Sequence, residues 1–385
     1  MLGIKTIMKA VDILSIASVV PEQSVSSHEI IHEANGHLSD EVHNMLGSMF
    51  INQRYAVVDD YPRYLAGKKP RKLVEDINEL AVKSIYKCVD SINKALDICL
   101  FITVTNTALR PLPCMAYEVI AKVNPAVLPR DVSVINMQNQ GCSSMVKAIE
   151  IAQSFLIANP GKQALITIAE AHTAMVPPTL TQKTIGFNEI KAMPEGEEKE
   201  TAQLKINNLI NSYLFGDGAV SMLLQSSEEE QNFKCCHLTN QSYKDTEILH
   251  MDEGGSYKPL YNGFPQYFLS KVVPARGLFY SKCLFEKLCS SSKDNDINDI
   301  DFFLIHTGSK KIIDGIRNAF CLEENEKVSH SYSVIKNFGN LSSCSIGFML
   351  DEALNRDKKT GNFLLISFGV GFSGSIAKWQ LRRAY

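Results

Sequence analysis

Nearly continuous apolar runs of strand length recur along the chain, at residues 10–20, 98–104, 163–169, 214–224, 301–305 and 362–368. Runs with so few polar breaks predict strands covered on both faces, as in the sheets of α/β proteins. Between them the apolar period changes to that of a helix. Residues 73–96 place Leu73, Ile77, Leu80, Ala81, Ile85 and Val89 on one face, and residues 115–123 also read as helical. Ser26 and Glu29 have capping-box spacing, which predicts a helix start there. Residues 189–208 are charged and poor in large apolar groups, the pattern of a surface excursion free to move. Residues 290–298 read as a polar linker, and Gly216-Asp217-Gly218 as a tight turn.

The stretch 132–156 joins both patterns. A run of strand character ends in the polar corner Gln138-Asn139-Gln140-Gly141. Cys142 follows, then a helix period in Met145, Val146, Ile149, Ala152, Phe155 and Leu156. From Asp301 the chain repeats this plan, with a strand ending at His306, a helix opening at Asn340 and a further strand. Laying Cys142 over Asn340 brings Leu165-Ile166-Thr167 close to Leu365-Ile366-Ser367. Self-similarity at so long a period predicts two duplicated α/β halves, residues 1–235 and 236–385.

Composition narrows the setting. A chain of 385 residues is long for one core, and 45% hydrophobic with 21% charged residues describes an ordinary globular protein. A net charge of −3 gives no reason to expect nucleic acid or an anionic membrane as partner. The ten cysteines show no CxxC pairs and no zinc-like histidine spacing, so no metal is expected. Several lie in apolar runs, which fits free thiols in a reducing cytoplasm. Pro21 and Glu22 interrupt the first apolar run early, and no run reaches the roughly 20 residues of a membrane span. The expectation is a cytoplasmic protein.

The strand-to-helix corner gives Cys142 its chemical interest. There it meets unpaired N–H groups and the positive end of a helix dipole, which favour the thiolate. Gly141 allows the sharp turn. If the halves pack about a pseudo-twofold axis, the Asn340 corner faces the Cys142 corner, and His306 joins them at a strand's C-terminal end. A neutral histidine can accept the thiol proton or polarise a carbonyl, and an asparagine amide donates without charge. Each residue alone also fits a structural role, as a core thiol, a strand-end histidine or a helix cap.

Specific motifs then carry a resemblance. INQRY (51–55), QGCSS (140–144), LFGDGA (214–219), YFLSKVVP (267–274), IHTGSKKIIDGI (305–316), FGNLSSCSIGFMLDE (338–352) and SFGVGFSG (367–374) run over most of the chain. In this order they resemble the thiolase superfamily of condensing enzymes, in particular chalcone synthase-like (type III) polyketide synthases and ketoacyl-ACP synthase III-like ketosynthases. The resemblance implies an α/β fold of five layers, αβαβα, an obligate homodimer, and no metal or organic cofactor. Acyl-CoA or acyl carrier protein thioesters would be the substrates. Cys142 would be the acylated nucleophile, with His306 and Asn340 assisting malonyl decarboxylation and holding the enolate oxygen. Phe215 and Tyr267 would stand at the cavity mouth, with Thr173, Val176 and Ser342 lining the pocket. The expected product is a pyrone or resorcinol-like ring from secondary metabolism.

Departures from the family leave other routes open. Members of the plant type hold coenzyme A phosphates with basic residues where this chain has Glu41, Asn44 and Ser48, inside a stretch from Ala10 to Gln53 without lysine or arginine. Delivery by a carrier protein is therefore expected, with Lys68-Lys69, Arg71-Lys72 and Lys310-Lys311 as docking candidates, and residues 189–208 as a lid or docking loop. Glu118 resembles the base of relatives that condense two acyl chains without decarboxylation. Acyl transfer to an oxygen or nitrogen nucleophile, and a catalytically silent partner subunit, complete the alternatives.

Overall fold

The structure is a computed structural model that describes residues 9–382 except 35, 91, 231, 252, 257–263, 266 and 291–296. Strands apolar on both faces must be covered twice, and the chain solves this by stacking two sheets with helices outside and between. The first half runs β1 (Lys9–Val19), α1 (Ile77–Val89), β2 (Ile98–Thr105), α2 (Met115–Lys122), β3 (Ser133–Gln138), α3 (Ser144–Ala158), β4 (Gln163–Glu170), α4 (Glu197–Leu214) and β5 (Gly218–Glu230). The second runs β6 (Phe233–Thr239), α5 (Val273–Ser290), β7 (Phe302–Ile305), α6 (Lys310–Ala319), α7 (Ser345–Asp351), β8 (Gly361–Gly369) and β9 (Ser373–Leu381).

The sheets carry the duplication. The first has strand order β1-β5-β4-β2-β3, and the second, read from its own first strand, β6-β9-β8-β7. Each member of the second therefore has a counterpart, and only β3 is extra. Ile166 pairs with Ile102 and Met222, and Ile366 pairs in the same manner with Ile305 and Ile376. The expected boundary at 235/236 falls inside β6, all of whose residues pair with β9.

Three apolar clusters separate the layers. Outside the first sheet lie α1 and α2, with Leu80, Ile85, Phe101 and Val119 buried. Between the sheets lie α3 and α7, packed through Ile149, Ile166, Phe348, Leu365 and Trp379. Outside the second lie α5 and α6, with Tyr280, Leu284, Ile313 and Ile366. This is the expected αβαβα fold.

Several elements end differently from the apolar pattern. Helix α1 starts only at Ile77, where Asp76 and Glu79 form a reciprocal capping box, and Leu73 instead bridges to Val58. The run 214–224 is split: Leu214 closes α4, and the strand begins at Gly218. The largest correction concerns residues 189–208. They belong to a short helix, Phe187–Ala192, and to the 18-residue α4. Ala202, Ile206, Leu209 and Tyr213 bury one stripe of α4, too sparse among its charges to stand out when the segment is cut at 208. Of the linker 290–298, residues 291–296 lie outside the described residues. Among the described residues no helix is long and apolar enough to cross a membrane.

Trp379 ties both halves together. Its buried ring packs edge-on against Phe233 at 5.1 Å, and its Nε1–H donates to the Val11 carbonyl at 3.2 Å. Trp379→Ala is expected to lower unfolding free energy by about 3–5 kcal/mol, read from urea unfolding followed by far-ultraviolet circular dichroism. A loss below about 1 kcal/mol would contradict this central packing role.

Candidate active site

Cys142 follows β3 and precedes α3 at a turn pressed against the end of β8. Gly141 has φ +75°, and a Cβ there would lie 2.5 Å from the Val370 nitrogen. A Cβ on Gly369 would lie 2.4 Å from the Cys142 nitrogen. Two glycines therefore let the halves touch backbone to backbone at the cysteine. The buried Cys142 Sγ lies 3.4 Å from the Ser342 hydroxyl. Burial pushes the thiol up to about 12, and the Ser342 contact offsets this only in part. The expected thiolate is thus corrected: loss of water outweighs the helix end, and the resting group is a thiol.

His306 and Asn340 reach the same junction. The His306 N–H donates to Ile366 at 2.9 Å, holding the residue at the end of β7. Its ring stands edge-on to Phe368, the neighbour of Gly369, at 5.5 Å. Its Nδ1 is buried with no hydrogen-bond partner among the described residues, and burial pushes the imidazole down to about 3. It is neutral at any ordinary pH. Asn340 is pinned by its backbone to Leu214 and Gly216, at 2.9 and 3.2 Å. Its Oδ1 accepts the Ser342 N–H at 2.8 Å, which commits the oxygen and leaves the amide N–H groups as donors. Cys142 is thereby linked to His306 through Gly369 and Phe368, and to Asn340 through Ser342.

A buried carboxylate that the sequence reading passed over supports this junction. Glu170, at the end of β4, accepts from the Asn106 side chain at 2.7 Å, from Thr107 Oγ1 at 2.9 Å and from the Ser343 hydroxyl. Asn106 in turn accepts the Gly141 N–H at 2.9 Å and reaches Ser342 Oγ at 3.3 Å. Glu170 thus orients the amide that holds both neighbours of the thiol. A lone carboxylate closing the apolar strand QALITIAE was the available signal.

The mouth is aromatic. His172 stacks on Phe215 with ring centroids 4.1 Å apart, and Tyr267 stands edge-on to Phe215 at 6.0 Å. With Val176 and Met175 they line a space of about 10 Å³. Thr173 departs from expectation. Its N–H and hydroxyl both donate to Asp217 in the turn before β5, and His172 lines the space in its place. Asn208 and α4 also border a neighbouring cavity of about 260 Å³ lined by Pro177, Pro178, Lys183, Ile185, Lys205 and Ile206.

The remaining expected groups lie elsewhere or are engaged. Glu118 is held on α2 by Arg110 at 2.8 Å and Asn78 at 2.9 Å. Lys68 pairs with Glu33, Lys69 with Asp60 and Lys310 with Asp314, while Arg71 donates to the Ala174 carbonyl. Glu41 accepts from the Asn188 N–H at 3.1 Å.

Residues 291–380 match the family model for the C-terminal part of 3-oxoacyl-(acyl-carrier-protein) synthase III. Type III polyketide synthase C of Arabidopsis thaliana is 23% identical, with 94% of this chain and 92% of that one covered. Beta-ketoacyl-(acyl-carrier-protein) synthase III of Rickettsia prowazekii (strain Madrid E) is 24% identical, covering 82% and 87%. The crystal structure of the C-terminal type III polyketide synthase domain of Steely1 from Dictyostelium matches with TM-score 0.72 at 17% identity, covering 97% and 99%. In sequence and in fold the chain is thus similar to condensing enzymes of the synthase III and type III polyketide synthase kind. Its two sheets, with matching strand order, place one strand-to-helix corner from each at a shared junction.

A thiol held near 12 ionises only slightly at neutral pH, so alkylation of Cys142 by iodoacetamide should accelerate about tenfold per pH unit between pH 7 and 9. Peptide-mapped mass spectrometry reads the rate. A plateau already reached by pH 8 would contradict the buried thiol.

Proposed function

We propose that this enzyme forms carbon–carbon bonds by decarboxylative Claisen condensation. Cys142 takes an acyl group from a CoA or carrier-protein thioester: as the sulfur attacks the carbonyl, His306 Nε2 takes its proton and hands it to the departing donor thiolate, so the donor leaves as its thiol and His306 is neutral again. A malonyl thioester then loses CO₂, its carbonyl oxygen held by the Asn340 N–H groups and by His306 in the neutral tautomer that carries its proton on Nε2. The resulting carbanion attacks the Cys142 thioester and expels the sulfur as thiolate, which regains its proton from solvent. The observation that carries this reading is the neutrality of both donors. An imidazolium would protonate a carbanion, whereas a histidine pushed down to about 3 and an asparagine amide stabilise the enolate oxygen without offering an acid.

The other routes fit less well. A non-decarboxylative condensation needs Glu118 to leave Arg110 and Asn78 before it can act as base. Acyl transfer to an alcohol or amine would profit from a second base beside the thioester, where Asn340 stands. A silent partner subunit would have no need of all three groups together. Polyketide-type chemistry, ending in ring closure to a pyrone or resorcinol-like product, agrees with an aromatic mouth of His172, Phe215 and Tyr267.

A homodimer belongs to the same proposal. Strand β3 is one of the two edge strands of the first sheet, and Leu109, Leu112 and Tyr117 are exposed on the adjoining loop and α2. A second copy meeting that edge would cover them. Delivery of the acyl group by CoA or by a carrier protein are both compatible with the site.

The central test is ¹⁴CO₂ release from labelled malonyl thioester together with product formation. Asn340→Ala should lower both about 10²–10³-fold, the range for loss of one oxyanion donor, and His306→Ala should do at least as much. Wild-type CO₂ release in Asn340→Ala would overturn the donor assignment. Tyr267→Ala should shift preference toward longer acyl starters, read as kcat/KM across a chain-length series, and an unchanged series would show that this ring does not guard the mouth.

A further inference from the structure

Far from the junction, strand β6 and helix α3 bring three metal-ligand side chains together. Cys235 and His237 are two residues apart on β6 and so share the face turned toward α3. Glu150 comes from α3. The donor atoms of all three lie within 4.8 Å of one another. Cys235 Sγ is 3.6 Å from His237 Nε2, and His237 Nε2 is 2.9 Å from Glu150 Oε2. The other ring nitrogen, Nδ1, lies 2.8 Å from Ser375 Oγ on the neighbouring strand β9, which orients the imidazole.

We infer that Glu150, Cys235 and His237 form a site for one divalent zinc-like ion that clamps α3 to the edge of the second sheet. The geometry supports this over an incidental polar contact. Zinc bonds of about 2.3 Å to sulfur and about 2.0–2.1 Å to nitrogen at a tetrahedral angle place the two donors about 3.5 Å apart. That is close to the 3.6 Å found. The carboxylate needs to withdraw from the imidazole by only a few tenths of an ångström, and at 46% side-chain exposure it has the freedom to do so. Thiolate, imidazole and carboxylate together suit zinc better than magnesium or calcium, and the fourth position would be filled by water.

The protons balance simply. Binding releases the Cys235 thiol proton to solvent. His237 stays neutral, with its proton on Nδ1 donated to Ser375 and the Nε2 lone pair on the metal. The bound ion is neutralised by one thiolate and one carboxylate. Lys147 on α3 and Lys287 on α5 face the same imidazole and help to keep it neutral, and the Lys287 Nζ donates to the His237 carbonyl at 3.3 Å. Two ligands come from β6 and the third from α3, with no CxxC pair among them, which is why cysteine spacing along the chain shows no sign of the site. Since α3 carries Cys142 at its start, the clamp would fasten the catalytic helix of one half to the outermost strand of the other.

The test uses the intact, reduced protein freed of metal by a chelator, titrated with Zn²⁺ against a competing chromogenic chelator. One equivalent should bind with Kd below about 1 μM, and the melting temperature should rise with it. Cys235→Ser and His237→Gln should each weaken binding at least about 100-fold and remove the thermal shift. Co²⁺ in the unmodified protein should give tetrahedral ligand-field bands and a charge-transfer band of one thiolate's intensity, a readout that stands even where a variant fails to fold. Absence of stoichiometric Zn²⁺ binding, unaltered binding in both variants, or a cobalt spectrum with no thiolate or several would each overturn the site.

Discussion

The thiol of Cys142 lies where the two halves of the chain meet backbone to backbone, through Gly141, Gly369 and the glycine-width gap between them. Its removal from water sets the terms for the groups around it. The buried Glu170 also opposes ionisation of the sulfur. That carboxylate is held by Asn106, Thr107 and Ser343. A sulfur that stays protonated at rest must lose its proton as it reacts, and a buried, uncharged imidazole is the acceptor the junction supplies. The same dryness that raises the thiol also keeps His306 neutral. In the proposed reaction one environment therefore serves both the acylation step and the carbanion step.

Duplication explains why such a junction exists. Matching strand orders give each half a strand-to-helix corner at an equivalent place, and packing α3 against α7 between the sheets sets those corners together. The two corners then diverged in chemistry. One presents a nucleophile, the other an amide whose oxygen is fixed on Ser342 so that its N–H groups are left to donate. Among the described strands of these two sheets β3 alone lacks a counterpart, and it forms one of the two edges of the first sheet.

The layered fold was legible because its strands are buried on both faces and read as apolar runs, and because Ile166 and Ile366 mark the repeat directly. Cys142, His306 and Asn340 stood out since each closes or opens an element at a matched position. What the sequence hid depends on distance or direction. The buried stripe of α4 was diluted by surface charge, and the Glu170–Asn106 network joins residues 64 apart in the chain. Thr173 sits at the expected place but turns its hydroxyl to Asp217. The thiol's ionisation could not be read from a helix dipole alone, since burial is a property of the whole fold. Glu150, Cys235 and His237 became a cluster only when β6 was laid against α3.

The central claim is that Cys142 carries an acyl group which a malonyl-derived carbon removes. Intact-protein and peptide mass spectrometry after incubation with an acyl-CoA, followed by a malonyl-CoA chase, tests it directly. The account predicts an acyl adduct confined to the Cys142 peptide that disappears on adding malonyl-CoA, with a chain-extended product appearing in step. An adduct on another residue, or one on Cys142 that malonyl-CoA leaves untouched, would contradict it.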